Sequence, residues 1–301
     1  MENQLNELRS LAAKAENRLT ETGIPRVAMV QGKIPEHQLA AVYAPMVNLV
    51  LRGSKSMVIG DQTLDYGPSS YFVMSIDLPA IGTVRAAPTG EPYLAVALTL
   101  EPTILANLLA DLPDACRQAR VDVGFSVSAM TAELLDAWVR MLRLMTQPSD
   151  IPALAPVYER EILYRVLQGP HGPMLRDIAN PDTAMARVSV AIQWIRREFA
   201  QPLRVESLAQ KAAMSVSAFH RHFKAVTALS PLQYQKQVRL LHARTVMVSG
   251  GKSVMSAALE VGYESPTQFS REYARAFGLP PTRDASRILA ATSGRPIEAA
   301  R

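Results

Sequence analysis

The last third of the chain repeats itself, and that repeat limits what this part can fold into. Ala209-x-x-x-Ala213 followed by Met214-Ser215 aligns with Ala258-x-x-x-Gly262 followed by Tyr263-Glu264-Ser265. Beyond the turn, Phe219, Arg221 and Phe223 correspond to Phe269, Arg271 and Tyr273, at an offset of 50 residues. Each copy reads as a short helix, a tight turn and a second helix. The small side chain of Ala209 or Ala258 lets the two helices approach closely, and a glycine in the turn supplies a backbone position with φ > 0. The pattern is that of a helix-turn-helix, present twice.

The second helix of each copy has the amphipathicity that reading a DNA groove requires. At 100° per residue, Val216, Phe219, Phe223 and Val226 face inward, while Ser217, Arg221 and Lys224 fall on the opposite side with His220 on the flank. In the second copy Phe269, Tyr273 and Phe277 are core, and Thr267, Gln268, Arg271 and Arg275 point away. Arginine pairs bidentately with guanine, glutamine with adenine, and a threonine methyl touches a thymine methyl. Ser230-Pro231-Leu232-Gln233 is a helix start, with a capping serine, proline at the first helical position and a glutamine that reaches back. Ser265-Pro266-Thr267-Gln268 repeats it. The helix between the copies, Pro231 to Ser249, has about 18 residues and spans about 27 Å. That length suits two reading heads on major-groove turns about 34 Å apart. Lys236, Arg239 and Arg244 on this helix are read as phosphate contacts or solvated charges.

Charge points the same way. The net charge of +5 divides unevenly: residues 1–184 hold 15 Lys+Arg against 20 Asp+Glu, and residues 185–301 hold 17 against 7. A basic module on an acidic one leaves only the C-terminal part to meet a polyanion. At 301 residues the chain accommodates two domains, each with its own core. One cysteine excludes an internal disulfide and predicts an intracellular, cytoplasmic protein. No apolar run reaches the roughly 18 residues of a membrane span. Met1 to Thr20 reads as an amphipathic helix rather than a signal peptide.

From about Val42 to Leu100 short apolar stretches alternate with turn signals. Met46–Leu51, Met57–Ile59, Tyr71–Ser75 and Tyr93–Leu100 read as strands, punctuated by Gly53-Ser54, Gly60-Asp61, Gly67-Pro68 and Gly90. This spacing suggests an antiparallel sandwich or barrel. Glu101–Leu112, Ala129–Met145 and Val157–Leu167 have helical periodicity. Gln168-Gly169-Pro170-His171-Gly172-Pro173 is a breaker, and the domain boundary is placed between it and Asp182. The expectation is an α+β chain, with residues 1–180 forming one domain and residues 181–301 an all-α domain with two helix-turn-helix units. On Ala129–Met145, Leu134, Leu135, Trp138, Leu142 and Met145 share a face that is either core against the barrel or a dimer seam.

Enzyme and metal readings find little support. Of the five histidines only His37 lies near the barrel segment, whereas metal-binding barrels need clustered histidines with a carboxylate. His220 and His222 lie about 200° apart on a helix and are not a ligand pair, and His222 is read as partly buried. Cys116, near Arg117 and Arg120, is read as an inert small side chain rather than a redox sensor. No nucleophile triad, phosphate-cradling loop or paired carboxylate stands out. No cofactor, metal or catalytic residue is expected.

Residues from about 185 to 287 resemble the DNA-binding domain of the AraC/XylS family of regulators. The resemblance rests on Gly262-Tyr263-Glu264-Ser265 with Phe277-Gly278-Leu279-Pro280-Pro281, and on Ser215-Val216-Ser217-Ala218-Phe219-His220-Arg221-His222-Phe223-Lys224. It implies base-contacting positions at Ser217, His220 and Arg221 and at Pro266, Thr267, Gln268 and Arg271. Two departures stand out: Ala213 occupies a turn position where glycine is usual, and Pro266 cannot read a base through a side-chain hydrogen bond. The stretch from about 40 to 180 resembles the N-terminal domain of one subgroup, on Tyr43-Ala44-Pro45, Leu51-Arg52-Gly53-Ser54-Lys55, Asp77-Leu78-Pro79 and Glu91-Pro92-Tyr93. This second resemblance implies a cupin-like barrel with a helical layer, used for effector sensing and dimerisation. Arg52, Tyr71 and Tyr93 are candidates for lining the effector cavity. The expected partners are double-stranded DNA, a small-molecule effector, RNA polymerase as for an activator, and a second copy of the chain.

Overall fold

The computed structural model describes residues 1–16, 20–32, 39–112 and 123–293. His37 and Cys116, with Arg117 and Arg120, lie outside the described residues. The N-terminal half opens with helix α1 (Glu2–Leu11), whose Leu5 and Leu8 are buried. Ten strands follow: β1 (Thr20–Glu21), β2 (Val27–Gln31), β3 (Ala40–Tyr43), β4 (Met46–Arg52), β5 (Ser54–Ile59), β6 (Gln62–Tyr66), β7 (Ser70–Met74), β8 (Leu78–Arg85), β9 (Leu94–Thr99) and β10 (Phe125–Ala129). They form two antiparallel sheets, ordered β1-β2-β9-β4-β7-β10 and β3-β8-β5-β6. The four stretches read as strands all lie in these sheets. Gln62–Tyr66, Leu78–Arg85 and Phe125–Ala129 had carried no strand expectation, because Asp65, Gly82 and Ser126 interrupt their apolar pattern.

Strand alternation decides which residues meet between the sheets. Tyr66 stacks on Phe72 with ring centroids 5.3 Å apart and donates a hydrogen bond to Asn48 Oδ1 at 2.9 Å, so Tyr66, Phe72 and Asn48 point inward. Tyr71, the neighbour of Phe72, points the other way and meets the ring of His171 edge-on at 4.8 Å. That outer face is covered by the helical layer: α2 (Pro102–Ala110), α3 (Ala132–Arg143), α4 (Ile151–Gln168) and α5 (Gly172–Ala179). Helix α3 is buried along Leu134, Leu135, Trp138 and Leu142, each at 1% exposure or less, so of the two readings of this face the structure selects core. The breaker at 168–173 ends α4 as expected, but Gly172 and Pro173 then open the first turn of α5, where proline loses no helical hydrogen bond.

The C-terminal part is helical throughout: α6 (Ala184–Arg197), α7 (Val205–Lys211), α8 (Val216–Thr227), α9 (Pro231–Gly250), α10 (Val254–Glu260), α11 (Pro266–Phe277) and α12 (Pro281–Ser293). The serine signals work as the sequence suggests. Ser230 and Gln233 form a reciprocal capping box, and Ser215, Ser253 and Ser265 each accept a hydrogen bond from the backbone of the following turn. The apolar interior does not respect the expected boundary. One continuous cluster runs from Leu5 through the sheets to Phe219, Phe223, Tyr234 and Val238, whereas Leu240, Ala243, Met247, Ala258, Phe269 and Tyr273 form a second. The first helix-turn-helix therefore shares its core with the N-terminal domain, and the second has a core of its own.

Candidate DNA-binding interface and barrel interior

In the first unit, α7 and α8 pack through Leu208, Ala209, Phe219 and Phe223, all nearly or fully buried. This anchors one side of α8 and leaves Ser217, His220, Arg221 and Lys224 exposed. Arg221 Nη2 lies 3.3 Å from His222 Nε2, and His222 is half-buried, as read from the sequence. One inward assignment is corrected: Val216 is 40% exposed, because it sits at the first helical position, ahead of the turn that Phe219 buries. In the second unit Phe269 and Tyr273 are buried and Phe277 half-buried, while Thr267, Gln268, Arg271 and Arg275 are exposed and Pro266 half-exposed at the helix start. Gln268 is held by Glu272 at 3.3 Å. Every side chain expected to meet DNA thus stands on the solvent side of α8 or α11, or at its first turn.

Two of the three basic residues on α9 are not available to phosphate. Arg239 donates to the carbonyls of Phe199, Ala200, Gln201 and Gly262, at 2.7 to 3.1 Å. Arg244 is 4% exposed and pairs with the fully buried Asp284 at 2.8 Å. Both correct the reading of them as phosphate contacts or solvated charges. Arg239 ties the end of α6 to the turn of the second unit, and Arg244 ties α9 to α12. The available signal was their spacing from Tyr234, Val238 and Leu241 on the buried side. Lys236 is partly exposed and bonds Glu272 at 3.3 Å.

The structure does not bring Arg52, Tyr71 and Tyr93 onto one face. Arg52 sits 3.5 Å from Glu91, and Tyr71 faces the helical layer, where burial pushes its hydroxyl up to about 12. Tyr93 lies in the barrel interior, where burial and the neighbouring Tyr43 raise its pKa. The interior holds a residue that the sequence reading quoted only as part of a motif. Lys55 lies directly opposite Tyr66 on β6 and Val84 on β8, so it shares their inward face. It is 7% exposed, its Nζ is 4.9 Å from the centre of the Tyr43 ring, and burial lowers its pKa to about 8. The available signal was the alternation Lys55-Met57-Ile59 in a strand whose Val58 faces out.

Two facing antiparallel sheets with a helical layer, joined to a pair of helix-turn-helix units, define the architecture of a helix-turn-helix DNA-binding protein with an N-terminal sheet domain. Comparison with known proteins agrees. Residues 23–174 match the family model described as AraC-type transcriptional regulator N-terminus, and residues 208–287 match a helix-turn-helix domain model. The chain belongs to the AraC-type transcriptional regulators. It is 31% identical over 154 residues to the HTH-type transcriptional activator RhaS of Escherichia fergusonii, covering 48% of this chain and 54% of that one. It is 31% identical over 134 residues to RhaS of Citrobacter koseri, covering 44% and 46%. The chain thus spans about half the length of the curated relatives it matches. Among solved structures, ToxT of Vibrio cholerae bound to an unsaturated fatty acid superposes with TM-score 0.55 at 10% identity, over 86% of this chain and 94% of that one. An apo form of ToxT from the same organism, carrying a single substitution, superposes with TM-score 0.57 at 9% identity, over 90% and 100%. These likenesses establish the two-domain fold. Among the described residues no helix is long and apolar enough to cross a membrane.

Proposed function

We propose that this protein is a sequence-specific DNA-binding transcriptional regulator whose N-terminal barrel senses a small-molecule effector. The observation that carries this reading is the pair of helices α8 and α11. Each is anchored by buried aromatics and presents a polar, basic face to solvent: Ser217, His220, Arg221 and Lys224 on one, Thr267, Gln268 and Arg271 on the other, with Pro266 at its start. The excess of positive charge after residue 184 supports the same face as the one that meets a polyanion. Pro266 contributes an apolar contact at most. Effector binding would change the population of arrangements in which both units reach a duplex. The domain division at about residue 180, a homodimer, contact with RNA polymerase, a role as activator and a cytoplasmic location belong to this proposal. RhaS is named as an activator, which supports that part of it.

Selection of bound sequences from a random DNA pool tests the reading directly. The expected result is a recurrent motif with two half-sites about one helical turn apart. Arg221→Ala and Arg271→Ala should then each weaken that site by about 1–3 kcal/mol while leaving random-sequence binding nearly unchanged. Absence of any enriched motif would remove the proposal.

A further inference from the structure

Lys55 is a buried cation, and among the described residues no carboxylate lies within ion-pair distance of its Nζ, whose contact there is the face of Tyr43. An isolated ammonium in a protein interior is disfavoured by several kcal/mol, and an interior charge is normally matched by an opposite one. The side chains around it are polar. Tyr66 and Tyr93 project into the same interior, where burial first, and then the nearby Tyr43 hydroxyl, raises the pKa of both. Tyr43 donates to Leu39 O at 2.8 Å and Tyr66 to Asn48 at 2.9 Å. Tyr93 is 2% exposed, and its hydroxyl has no hydrogen-bond partner among the described residues. The backbone lets these side chains meet: a Cβ on Gly82 would come 2.9 Å from Tyr43 Oη and 3.2 Å from Lys55 Cε, so only glycine admits both. The remaining walls are apolar: Met57, Ile59, Phe72 and Leu78 are fully buried.

We propose that the barrel interior is a binding site for an organic monocarboxylate, with Lys55 pairing the carboxylate, the Tyr93 hydroxyl donating to it, and the apolar body lying against Phe72 and Met57. This deepens the effector-sensing reading and rests on it. One cation compensates one negative charge, which favours a monocarboxylate over a phosphate dianion. A charge-assisted hydrogen bond in a water-poor interior is also stronger than its exposed counterpart. With no ligand bound, the charge is a liability, so Lys55 is a residue at which binding and stability oppose each other.

The test uses the full-length protein at neutral pH. Octanoate, benzoate, their neutral amides and inorganic phosphate are each titrated while thermal unfolding and heat of binding are followed. The expected result is a rise in Tm with a carboxylate, a smaller or absent rise with its amide, and none with phosphate. Lys55→Met should lower carboxylate affinity at least tenfold, about 1.4 kcal/mol, and unfold in the ligand-free state at the same or a higher temperature than wild type. If Lys55→Met does not fold, Tyr93→Phe carries the test, with a smaller loss of affinity for the acid and none for the amide. Equal binding of acid and amide in wild type and Lys55→Met would overturn anion recognition but leave a sensing barrel. A response to phosphate matching that to carboxylates would overturn the ligand class. No response to any acid or amide would overturn both this proposal and the sensing role for the barrel.

Discussion

The Asp77 carboxylate, buried at the start of β8, is bound by Arg196, which projects from the first helix of the DNA-binding half. Gln193, one turn earlier on α6, donates to the other carboxylate oxygen at 2.6 Å, and the Tyr234 hydroxyl from α9 donates to the Asp77 carbonyl at 2.8 Å. Two further contacts join the halves nearby: Gly124 N donates to Val226 O at 3.0 Å, and a Cβ on Gly60 would come within 2.7 Å of Ala228 O. The first helix-turn-helix is therefore built onto the barrel, and Asp77 is the ionic part of the joint. Removing the carboxylate leaves the Gln193 and Arg196 donors facing a partly buried gap. Arg196 is 38% exposed and can recover some hydration. Asp77→Ala should lower the unfolding free energy by about 1–3 kcal/mol. Hydrogen exchange should quicken in α6 and the first half of α9, with α10 and α11 unchanged. Equal quickening in α10 and α11 would show that the two cores are not separate.

The two helix-turn-helix units solve the same backbone problem with different residues. In the second, the turn and the cap after the reading helix are Gly262 at φ 83° and Gly278 at φ 77°. In the first they are Ala213 at φ 51° and Ala228 at φ 60°, a left-handed conformation that alanine adopts at a cost of roughly 1–2 kcal/mol. Gly262 has a second reason to be glycine: its Cβ would come 2.0 Å from Ala200 O. Ala213→Gly should stabilise the protein by about 1 kcal/mol, since relief of the strained φ outweighs the added freedom of the unfolded chain. Gly262→Ala should destabilise it by more than that. Urea unfolding of both variants checks the contrast; a loss of stability in Ala213→Gly would mean that its φ carries no strain.

The repeat, the serine caps and the exposed faces of α8 and α11 were legible in the sequence because they depend on 3.6-residue periodicity and on side chains that act within one turn. The strands around Val27–Gln31 and Leu78–Arg85 were not, since their register is set by partners about 65 and 40 residues away in sequence. The same holds for charge. Arg239, Arg244 and Lys55 look like ordinary surface cations in a linear reading, and only tertiary packing turns them inward. Tyr43, Lys55 and Tyr93 each belong to one of the short motifs that carry the family resemblance. Their convergence between the sheets becomes visible only once the strands are paired.

Asp284 anchors the second unit from within. It is fully buried and accepts hydrogen bonds from Arg244 at 2.8 Å, Arg287 at 2.8 Å and the Tyr273 hydroxyl at 2.8 Å. Burial alone would raise its pKa, but the donors from Arg244, Arg287 and Tyr273 outweigh it and hold the carboxyl below its ordinary value. A depressed acid contributes stability that is fully present above the unfolded-state pKa and is lost as pH falls through the folded-state value. Asp284→Asn should therefore destabilise the protein by about 3–5 kcal/mol near neutrality, because the Arg244 charge is left buried without its partner. The gap to wild type should narrow as pH is lowered past about 4, the ordinary aspartate value. Chemical unfolding across that range provides the measurement, and a gap that stays constant would contradict the depressed pKa.

Lys55 has the opposite linkage. Burial lowers its pKa to about 8, against 10.5 for an exposed lysine. Between those values the unfolded chain holds a proton that the folded protein has released, so stability climbs with pH. Each pH unit inside the window is worth up to about 1.4 kcal/mol, giving about 2 kcal/mol between roughly pH 8 and 9.5. The upper limit is set by Tyr43, Tyr66 and Tyr93. Their burial raises their folded-state pKa values, and unfolded tyrosines begin to ionise near pH 10, which erodes stability above that point. Lys55→Met retains these tyrosines and lacks the ammonium, so the difference between wild type and variant isolates the lysine. The wild type should start less stable than Lys55→Met near pH 7.5 and close the gap by pH 9.5. A saturating carboxylate ligand should remove the pH dependence by holding Lys55 protonated in the folded state. A wild type that tracks the variant at constant offset across the window would mean that the ammonium is solvated, and the interior anion site would then have no cation to build on.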